Sequence, residues 1–220
     1  MKPRVYLESS VISYMTARIS RDLVVAAHQQ ITRDWWESAS AFELCISDYV
    51  LAEISTGDEG LARIRVELVS DALLLQTNAD AETLADQLIL QKSVPAKARL
   101  DALHIAVCAL NGIDYLLTWN CKHIANASND ALDRKDMCCI GLCLSQAVYT
   151  SRTFGELIMW IDPIVAQIHQ TRADITLKAG DNSHAITLAA QRLAQEAAQK
   201  FGVQWRKLPL AVPAQKPTEK

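Results

Sequence analysis

The feature that most constrains the fold is a repeated alternation of short apolar runs with segments of helical periodicity. The apolar runs cover residues 5–7, 42–46, 73–75 and 115–118, and residues 140–150 are a candidate for a last strand. Strands of three to five residues that alternate with helices predict a parallel sheet covered by helices on both faces. We therefore expect a three-layer α/β/α domain with a short sheet of four to five strands.

The expected helices follow from apolar residues that recur every three to four positions. The first helix begins at Val11, and the next five cover about residues 20–37, 48–55, 61–70, 79–91 and 100–110. One more follows Pro163, and a last one covers 183–201. Ser47 is a good N-cap for the third of these helices. The apolar stripe of the last helix is mostly alanine, so it needs a partner surface to be buried.

Charge divides the chain into an acidic body and a basic tail. Residues 1–158 hold 14 Lys and Arg against 20 Asp and Glu, whereas residues 159–220 hold 8 against 5. We expect a domain over 1–158 and a helical tail over 159–220 that is disordered from about 209. An acidic body argues against nucleic-acid binding over a wide surface, so any such binding needs metal ions or a local basic patch.

Several classes of protein are disfavoured by composition. A signal peptide and an apolar run of ~18–20 residues are both missing, so we expect a cytoplasmic protein without a membrane contact. The six cysteines favour reduced thiols, and Cys138, Cys139 and Cys143 with His123 lack the paired spacing of a structural zinc site. The seven glycines form no Gly-rich loop, which disfavours P-loop and dinucleotide enzymes.

Three acids lie where apolar or structural residues are expected. Glu8 directly follows the first strand, Glu53 lies within the inward stripe of its helix, and Asp101 shares a helical face with Ile105. Asn120 follows the fourth strand at the position equivalent to Glu8. Ligands bind at the carboxyl ends of parallel strands, and a buried carboxylate is costly unless it is paired, protonated or bound to a cation. We therefore expect these four side chains to converge on a site for Mg²⁺ or Mn²⁺.

Each of these residues also has an ordinary structural explanation. A single acid is more often a helix cap, a salt-bridge partner or a surface group, as we expect for Asp48 and Asp114. His104 and His123 are candidates for acid–base work, although a buried, hydrogen-bonded histidine is commoner. Trp36 and Trp119 are candidates for stacking on nucleic-acid bases.

Four sequence blocks resemble the conserved blocks of PIN domains. They are VYLESSVI (5–12), SDYVLAEI (47–54), DALHIA (101–106) and DYLLTWN (114–120), and the resemblance spans roughly residues 3–155. It implies a metal-dependent endoribonuclease similar to VapC-type toxins of toxin–antitoxin pairs, with Mg²⁺ or Mn²⁺ as cofactor and RNA as substrate. Dimers are common in that family, so a homodimer stays open.

The resemblance also assigns roles. Glu8, Glu53 and Asp101 would bind the metal, Asn120 would be the fourth polar residue, and Ser9 and Thr118 would support them. Two positions depart from the family pattern: Glu8 stands where Asp is usual, and the neutral Asn120 stands where an acid is usual. Three negative charges should hold cations less tightly than four.

The tail has a weaker resemblance, carried mainly by DPIV (162–165), to small antitoxin-like proteins found beside such PIN genes. It implies that the antitoxin is either the chain's own tail or a separate protein. We expect the tail to dock on the domain and Arg206 and Lys207 to reach the carboxylates; a helical extension packed away from the site is the alternative. The alternatives for the domain are a catalytically silent PIN fold that binds RNA or a partner protein, and another metal-dependent phosphoesterase.

Overall fold

A computed structural model describes residues 2–120, 140–143 and 162–208 of the chain. Its strands are β1 (Arg4–Leu7), β2 (Glu43–Ser47), β3 (Leu73–Leu75), β4 (Tyr115–Thr118), β5 (Ile140–Cys143) and β6 (Arg206–Lys207). They form a parallel sheet in the order β5-β4-β1-β2-β3, to which the two-residue β6 is added beside β3. The α/β class and the parallel sheet confirm the prediction, and the arrangement is compatible with three layers.

Eight helices are found in the described parts of the chain. They are α1 (Ser9–Thr16), α2 (Leu23–Glu37), α3 (Asp48–Ile54), α4 (Glu59–Leu68), α5 (Ala79–Leu90), α6 (Arg99–Leu110), α7 (Pro163–Ala179) and α8 (Ser183–Phe201). Their ends differ from the predicted ones by a few residues. Helix α2, for example, begins at Leu23 rather than near residue 20, because Asp22 caps it by accepting from the N–H groups of Val24 and Val25. No helix in this part of the chain has the length and apolarity that a membrane span requires.

Two cap positions bear directly on the carboxyl edge of the sheet. Glu8 is the N-cap of α1, and its side chain accepts from the N–H of Ser10. Ser47 stands at the N-cap of α3 as predicted, but its hydroxyl makes no cap hydrogen bond and instead contacts the hydroxyl of Tyr6 at 2.7 Å. The Ser47 hydroxyl therefore forms a hydrogen bond in the interior of the domain instead of capping α3.

The tail packs on the α/β body through both of its helices. The small-residue stripe of α8 is buried as predicted, and Ile186, Ala190 and Ala194 belong to the same apolar core as the sheet. Helix α7 contacts α1, α3 and α6, which are the helices that border the carboxyl edge. The expected extension is thus a structural layer over part of the domain.

The basic end of the tail lies elsewhere than the charge pattern predicts. Arg206 and Lys207 form β6 at the far edge of the sheet, in register with Leu73 and Leu74, so the expectation that they reach the carboxylates is wrong. Main-chain pairing with the open edge of β3 determines their place. Several predictions fall outside the described residues. They are the domain boundary at 158/159, the disorder from about 209, the rest of the candidate strand over 140–150, and the side chains His123, Cys138 and Cys139.

Candidate functional site

The carboxyl edge of the sheet brings together the four side chains that the sequence singles out. Glu8 follows β1 and Asn120 follows β4, and these strands are neighbours that pair Leu7 with Leu117. Glu53 comes from α3 directly after β2, and Asp101 from the first turn of α6. All four side chains are buried. We call this set the acid cluster: Glu8, Glu53, Asp101 and Asn120.

The three carboxylates bind one guanidinium, that of Arg172 in the tail helix α7. Its Nε donates to Glu53 Oε1 at 2.8 Å, and its Nη2 donates to Glu53 Oε2 at 3.1 Å and also to Glu8 Oε1. Its Nη1 donates to Asp101 Oδ1. Arg172 is only 5% exposed, so the arrangement is a buried ion-pair network between the tail and the acid cluster.

Hydroxyl groups hold Glu8 in place and leave one of its oxygens for the cation. Glu8 Oε2 accepts from the N–H of Ser10 at 3.1 Å, from Thr118 Oγ1 at 2.8 Å and from the hydroxyl of Ser10. Glu8 Oε1 accepts from Ser9 Oγ at 2.9 Å and from Arg172. The longer side chain of Glu at this position is therefore used to cap α1 while its other oxygen still reaches the site.

Ser9 and Thr118 both contact carboxylates of the acid cluster. The Ser9 hydroxyl also contacts Glu53, so it links two carboxylates, and Thr118 Oγ1 accepts from the N–H of Asn120 at 2.9 Å. Ser10, which the sequence reasoning did not select, bonds to Glu8 and accepts from the N–H of Trp119 at 2.8 Å. Ser10 could have been selected because it is a hydroxyl residue two positions after a buried acid, in the first turn of a helix.

Asn120 has an unused acceptor. Its Nδ2 donates to Asp101 Oδ1 at 3.3 Å, whereas its Oδ1 is buried and has no hydrogen-bond partner among the described residues. A buried amide oxygen without a partner is costly unless a cation or a water occupies its lone pairs.

The electrostatics of the site depend on Arg172. Burial alone would raise the pKa of Glu53, but the charge of Arg172 and the hydrogen bonds from His104 and Arg172 outweigh it and lower the value to about 2. For Glu8 burial again raises the pKa, and Arg172 more than offsets the rise, so that the net shift is downward. Conversely, burial disfavours the charged guanidinium, while the three carboxylates raise the pKa of Arg172 well above its ordinary value. Glu8 and Glu53 therefore remain ionised at neutral pH.

The side-chain oxygens of the acid cluster are chemically suited to bind a hard divalent cation. Carboxylate oxygens and an amide oxygen are the ligands that Mg²⁺ and Mn²⁺ prefer, and here they converge on a cationic group. Across 2–120, 140–143 and 162–208, no three His, Cys, Asp or Glu side chains are disposed to hold a metal ion as they stand. The carboxylates are arranged around the guanidinium of Arg172, and all three of its nitrogens donate to them.

Arg172 is the residue that the sequence reasoning missed. It lies four residues after Ile168 and three before Ile175, both buried, so it interrupts the apolar stripe of α7. A charged residue on an apolar stripe was the signal that selected Glu53 and Asp101, and the same test applied to the tail would have found Arg172.

The remaining candidates have structural places. His104 is fully buried and contacts Tyr6 and Glu53. Trp119 is buried, stacks on His28 with ring centroids 4.2 Å apart and donates to Thr32, so it offers no face to a base. Stacking by the half-buried Trp36 stays a prediction.

Asp48 and Asp114 occupy the structural places expected for them. Asp48 lies in the first turn of α3, and Asp114 accepts from the N–H of Arg4 at 2.7 Å.

Comparison with known proteins adds no name to this geometry. No protein-family model matches the chain, and neither a curated protein nor a solved structure matches it.

Proposed function

We propose that this chain is a metal-dependent endoribonuclease of the PIN type whose own tail holds it inactive. One observation carries the proposal: three buried carboxylates converge on the guanidinium of Arg172, beside an amide oxygen of Asn120 that has no hydrogen-bond partner among the described residues. A cluster of buried acids needs a cation, and this one receives its cation from another part of the same chain.

The acid cluster would hold Mg²⁺ or Mn²⁺ through Glu8, Glu53 and Asp101, with Asn120 Oδ1 as a neutral oxygen. Such an ion neutralises charge on a phosphodiester and lowers the pKa of a bound water. The protein's part is to keep its oxygens in place: Thr118 and Ser10 hold one oxygen of Glu8, and Ser9 links Glu8 to Glu53.

Arg172 would inhibit by occupying the position of the metal. A guanidinium satisfies the carboxylates with charge and hydrogen bonds, but it cannot activate a water or accept a phosphate oxygen as a ligand. Because α7 belongs to the same chain, even a weak contact gains an effective concentration in roughly the millimolar range. The tail would then have the role of the antitoxin in a toxin–antitoxin pair, joined to its toxin.

A second candidate is a catalytically silent PIN fold that binds RNA or a partner protein. It is favoured by the same ion pairs, since Arg172 binds all three acids without any metal, and by the neutral Asn120 in place of a fourth acid. The two candidates differ in whether the acid cluster binds a divalent ion once Arg172 is removed.

The test is cleavage of a labelled single-stranded RNA, with Mn²⁺, Mg²⁺ or EDTA, by the full chain and by its Arg172→Ala variant. Mn²⁺ binding is measured on the same samples by titration calorimetry. We expect Arg172→Ala to bind Mn²⁺ and cleave RNA at a rate at least ~10-fold above that of the full chain, because the acid cluster becomes free. Arg172→Ala/Asp101→Asn is the matched control and should be inactive.

The other outcomes separate the candidates. A folded Arg172→Ala variant that binds Mn²⁺ but cleaves neither RNA nor DNA would favour the silent fold. Cleavage of DNA alone would replace the RNA substrate with DNA. A folded variant that binds no Mn²⁺ would overturn the metal site itself.

A further inference from the structure

A chain of buried polar groups runs from the sheet to Glu53. Ser47 Oγ lies 2.7 Å from the hydroxyl of Tyr6, which lies 2.6 Å from His104 Nδ1. His104 Nε2 in turn lies 3.0 Å from Glu53 Oε1. Ser47, Tyr6 and His104 are completely buried, and Glu53 nearly so.

The chemistry of its two ends determines which atoms donate. Glu53 accepts from Arg172 through both of its oxygens, and a carboxylate can only accept. His104 must therefore carry a proton on Nε2. In the neutral imidazole Nδ1 is then an acceptor, and the donor to it is the Tyr6 hydroxyl, 2.6 Å away. Ser47 donates to the Tyr6 oxygen, so that each of these contacts has a donor and an acceptor.

The contacts of Glu53 divide between two fixed donors and the exchangeable cation. Oε1 accepts from His104 and from Arg172 Nε, while Oε2 accepts from Ser9 and from Arg172 Nη2. If Arg172 leaves, His104 still donates to one oxygen, and the other still contacts the Ser9 hydroxyl, whose single proton it shares with Glu8. Each oxygen keeps a lone pair free for the next cation.

We propose that His104 is a positioning residue, held by Tyr6 as a donor through Nε2, which keeps the Glu53 carboxylate aimed at the cation position when Arg172 and metal exchange. The inference rests on the proposed function, since it names how the metal site keeps its shape. It replaces the acid–base role considered for His104, because both ring nitrogens are engaged, one by Tyr6 and the other by Glu53.

The chain offers a matched control for the contact between Tyr6 and His104. Tyr49 also lies against the imidazole, with its ring centroid 5.9 Å away like that of Tyr6, but its hydroxyl contacts Thr187 at 2.8 Å. Tyr6→Phe and Tyr49→Phe each remove one buried phenol hydroxyl beside the same ring. Only the first removes a hydrogen bond to the imidazole.

The experiment measures Mn²⁺ affinity by calorimetry in variants that already carry Arg172→Ala, so that the site is open. We expect His104→Leu to weaken Mn²⁺ binding about 10–100-fold, as removal of an outer hydrogen-bond partner of a metal ligand typically does. His104→Gln should recover part of that loss because its amide can still donate to Glu53. Tyr6→Phe should weaken binding by a smaller factor, and Tyr49→Phe should leave it unchanged.

A second measurement uses the unmodified full chain and does not depend on any buried variant folding. Nitrogen-15 NMR of the histidine rings should show His104 with an exchange-protected proton on Nε2 in the full chain. A proton on Nδ1 with a bare Nε2 would overturn the assignment.

The outcomes distinguish this inference from the proposed function. Equal Mn²⁺ affinity with His104 and with His104→Leu would overturn the positioning role while leaving the metal site intact. Loss of affinity equal in Tyr6→Phe and Tyr49→Phe would show a packing effect and overturn the role of the Tyr6 hydroxyl. Absence of Mn²⁺ binding by Arg172→Ala itself would overturn the proposed function, and the positioning of a metal ligand with it.

Discussion

Arg172 and Asp101 face each other across 71 residues of sequence, and this pair changes what a substitution at the acid cluster should do. With Arg172 present, Asp101 is a partner of a buried cation. Without Arg172 it is one of three acids that repel one another. The same substitution is therefore expected to have opposite effects on stability in the two backgrounds.

In the full chain, Asp101→Asn should lower the free energy of unfolding by about 1–3 kcal/mol, because a charge-assisted hydrogen bond to Arg172 is lost. In Arg172→Met with EDTA, the substitution should raise it, since one of three clustered charges disappears. Urea unfolding of the four proteins measures the cycle. The control is Asp48→Asn, at an acid that does not contact Arg172, and it should change the free energy of unfolding in the same direction in both backgrounds. If Asp101→Asn also changed it in the same direction in both, the coupling between Asp101 and Arg172 would be contradicted.

At the scale of elements, the turn between α7 and α8 is tied to the body by Arg99 at the start of α6. Arg99 Nε donates to Asp181 at 2.9 Å, and its Nη1 contacts Ser183 at 3.1 Å and also Asp86. Ser183 completes the group by donating to Asp86 at 2.6 Å. These contacts lie outside the acid cluster, so they can be weakened without changing any residue of the site.

Arg99→Ala should loosen the docking of the tail and raise RNA cleavage while Arg172 stays in place. A partly exposed ion-pair group contributes about 1 kcal/mol, which corresponds to roughly a fivefold larger open population. The measurement is the Mn²⁺-dependent cleavage rate beside that of Lys97→Ala, an exposed cation of the same segment. An unchanged rate in Arg99→Ala, with Arg172→Ala active, would show that the tail does not open at this turn.

Helix α8 limits how the tail can be studied. It buries Ile186, Ala190 and Ala194 in the core, so a chain cut near residue 158 would expose the apolar surface beneath them. Loss of cleavage by such a piece would have two explanations, inactivity and unfolding. Substitution of Arg172 removes the inhibitory contact and keeps the covering helix.

At the scale of the whole molecule, a divalent ion and the docked tail compete for one site. Mn²⁺ should therefore leave the melting temperature of the full chain unchanged and raise that of Arg172→Met. The gain in stability is about 2.7 kcal/mol at a concentration 100-fold above the dissociation constant. Arg172→Met/Asp101→Asn is the control and should respond less; an equal response of all three would place the Mn²⁺ elsewhere on the protein.

The pH dependence of stability should also differ between the two forms. In the full chain the pKa of Glu53 is lowered from 4.5 to about 2, so its ion pair with Arg172 stabilises the fold above about pH 4.5. That contribution should be lost as the pH falls from about 4.5 toward 2. The free energy of unfolding should accordingly decline over that interval.

In Arg172→Met the sign reverses. Burial is then no longer offset by the guanidinium, so the carboxyl groups hold protons more tightly in the native state than in the unfolded one. With EDTA present, the free energy of unfolding should rise as the pH falls from about 8 to 5, whereas the full chain should change less. Urea unfolding at several pH values measures both, and equal slopes over pH 5–8 would contradict this account.

Much of the fold and part of the site could be predicted from local signals. Short apolar runs placed the strands, a periodicity of 3.6 residues placed the helices, and acids on apolar stripes selected Glu53 and Asp101. The carboxyl ends of parallel strands share one edge of the sheet, so Glu8 and Asn120 could be expected beside them. Each of these inferences uses residues within about one helical turn or one strand, because backbone conformation over that distance is determined by neighbouring residues.

The partner of the acids was decided only by the tertiary structure. The charge pattern predicted that the basic tail meets the acidic body, but it selected Arg206 and Lys207, which instead extend the sheet beside β3. Net charge acts over long distances and does not distinguish one cation from another. Arg172 reaches Glu8 across 164 residues of sequence because α7 docks its apolar stripe on the body, which carries the guanidinium into a buried pocket where only an ion pair is tolerated.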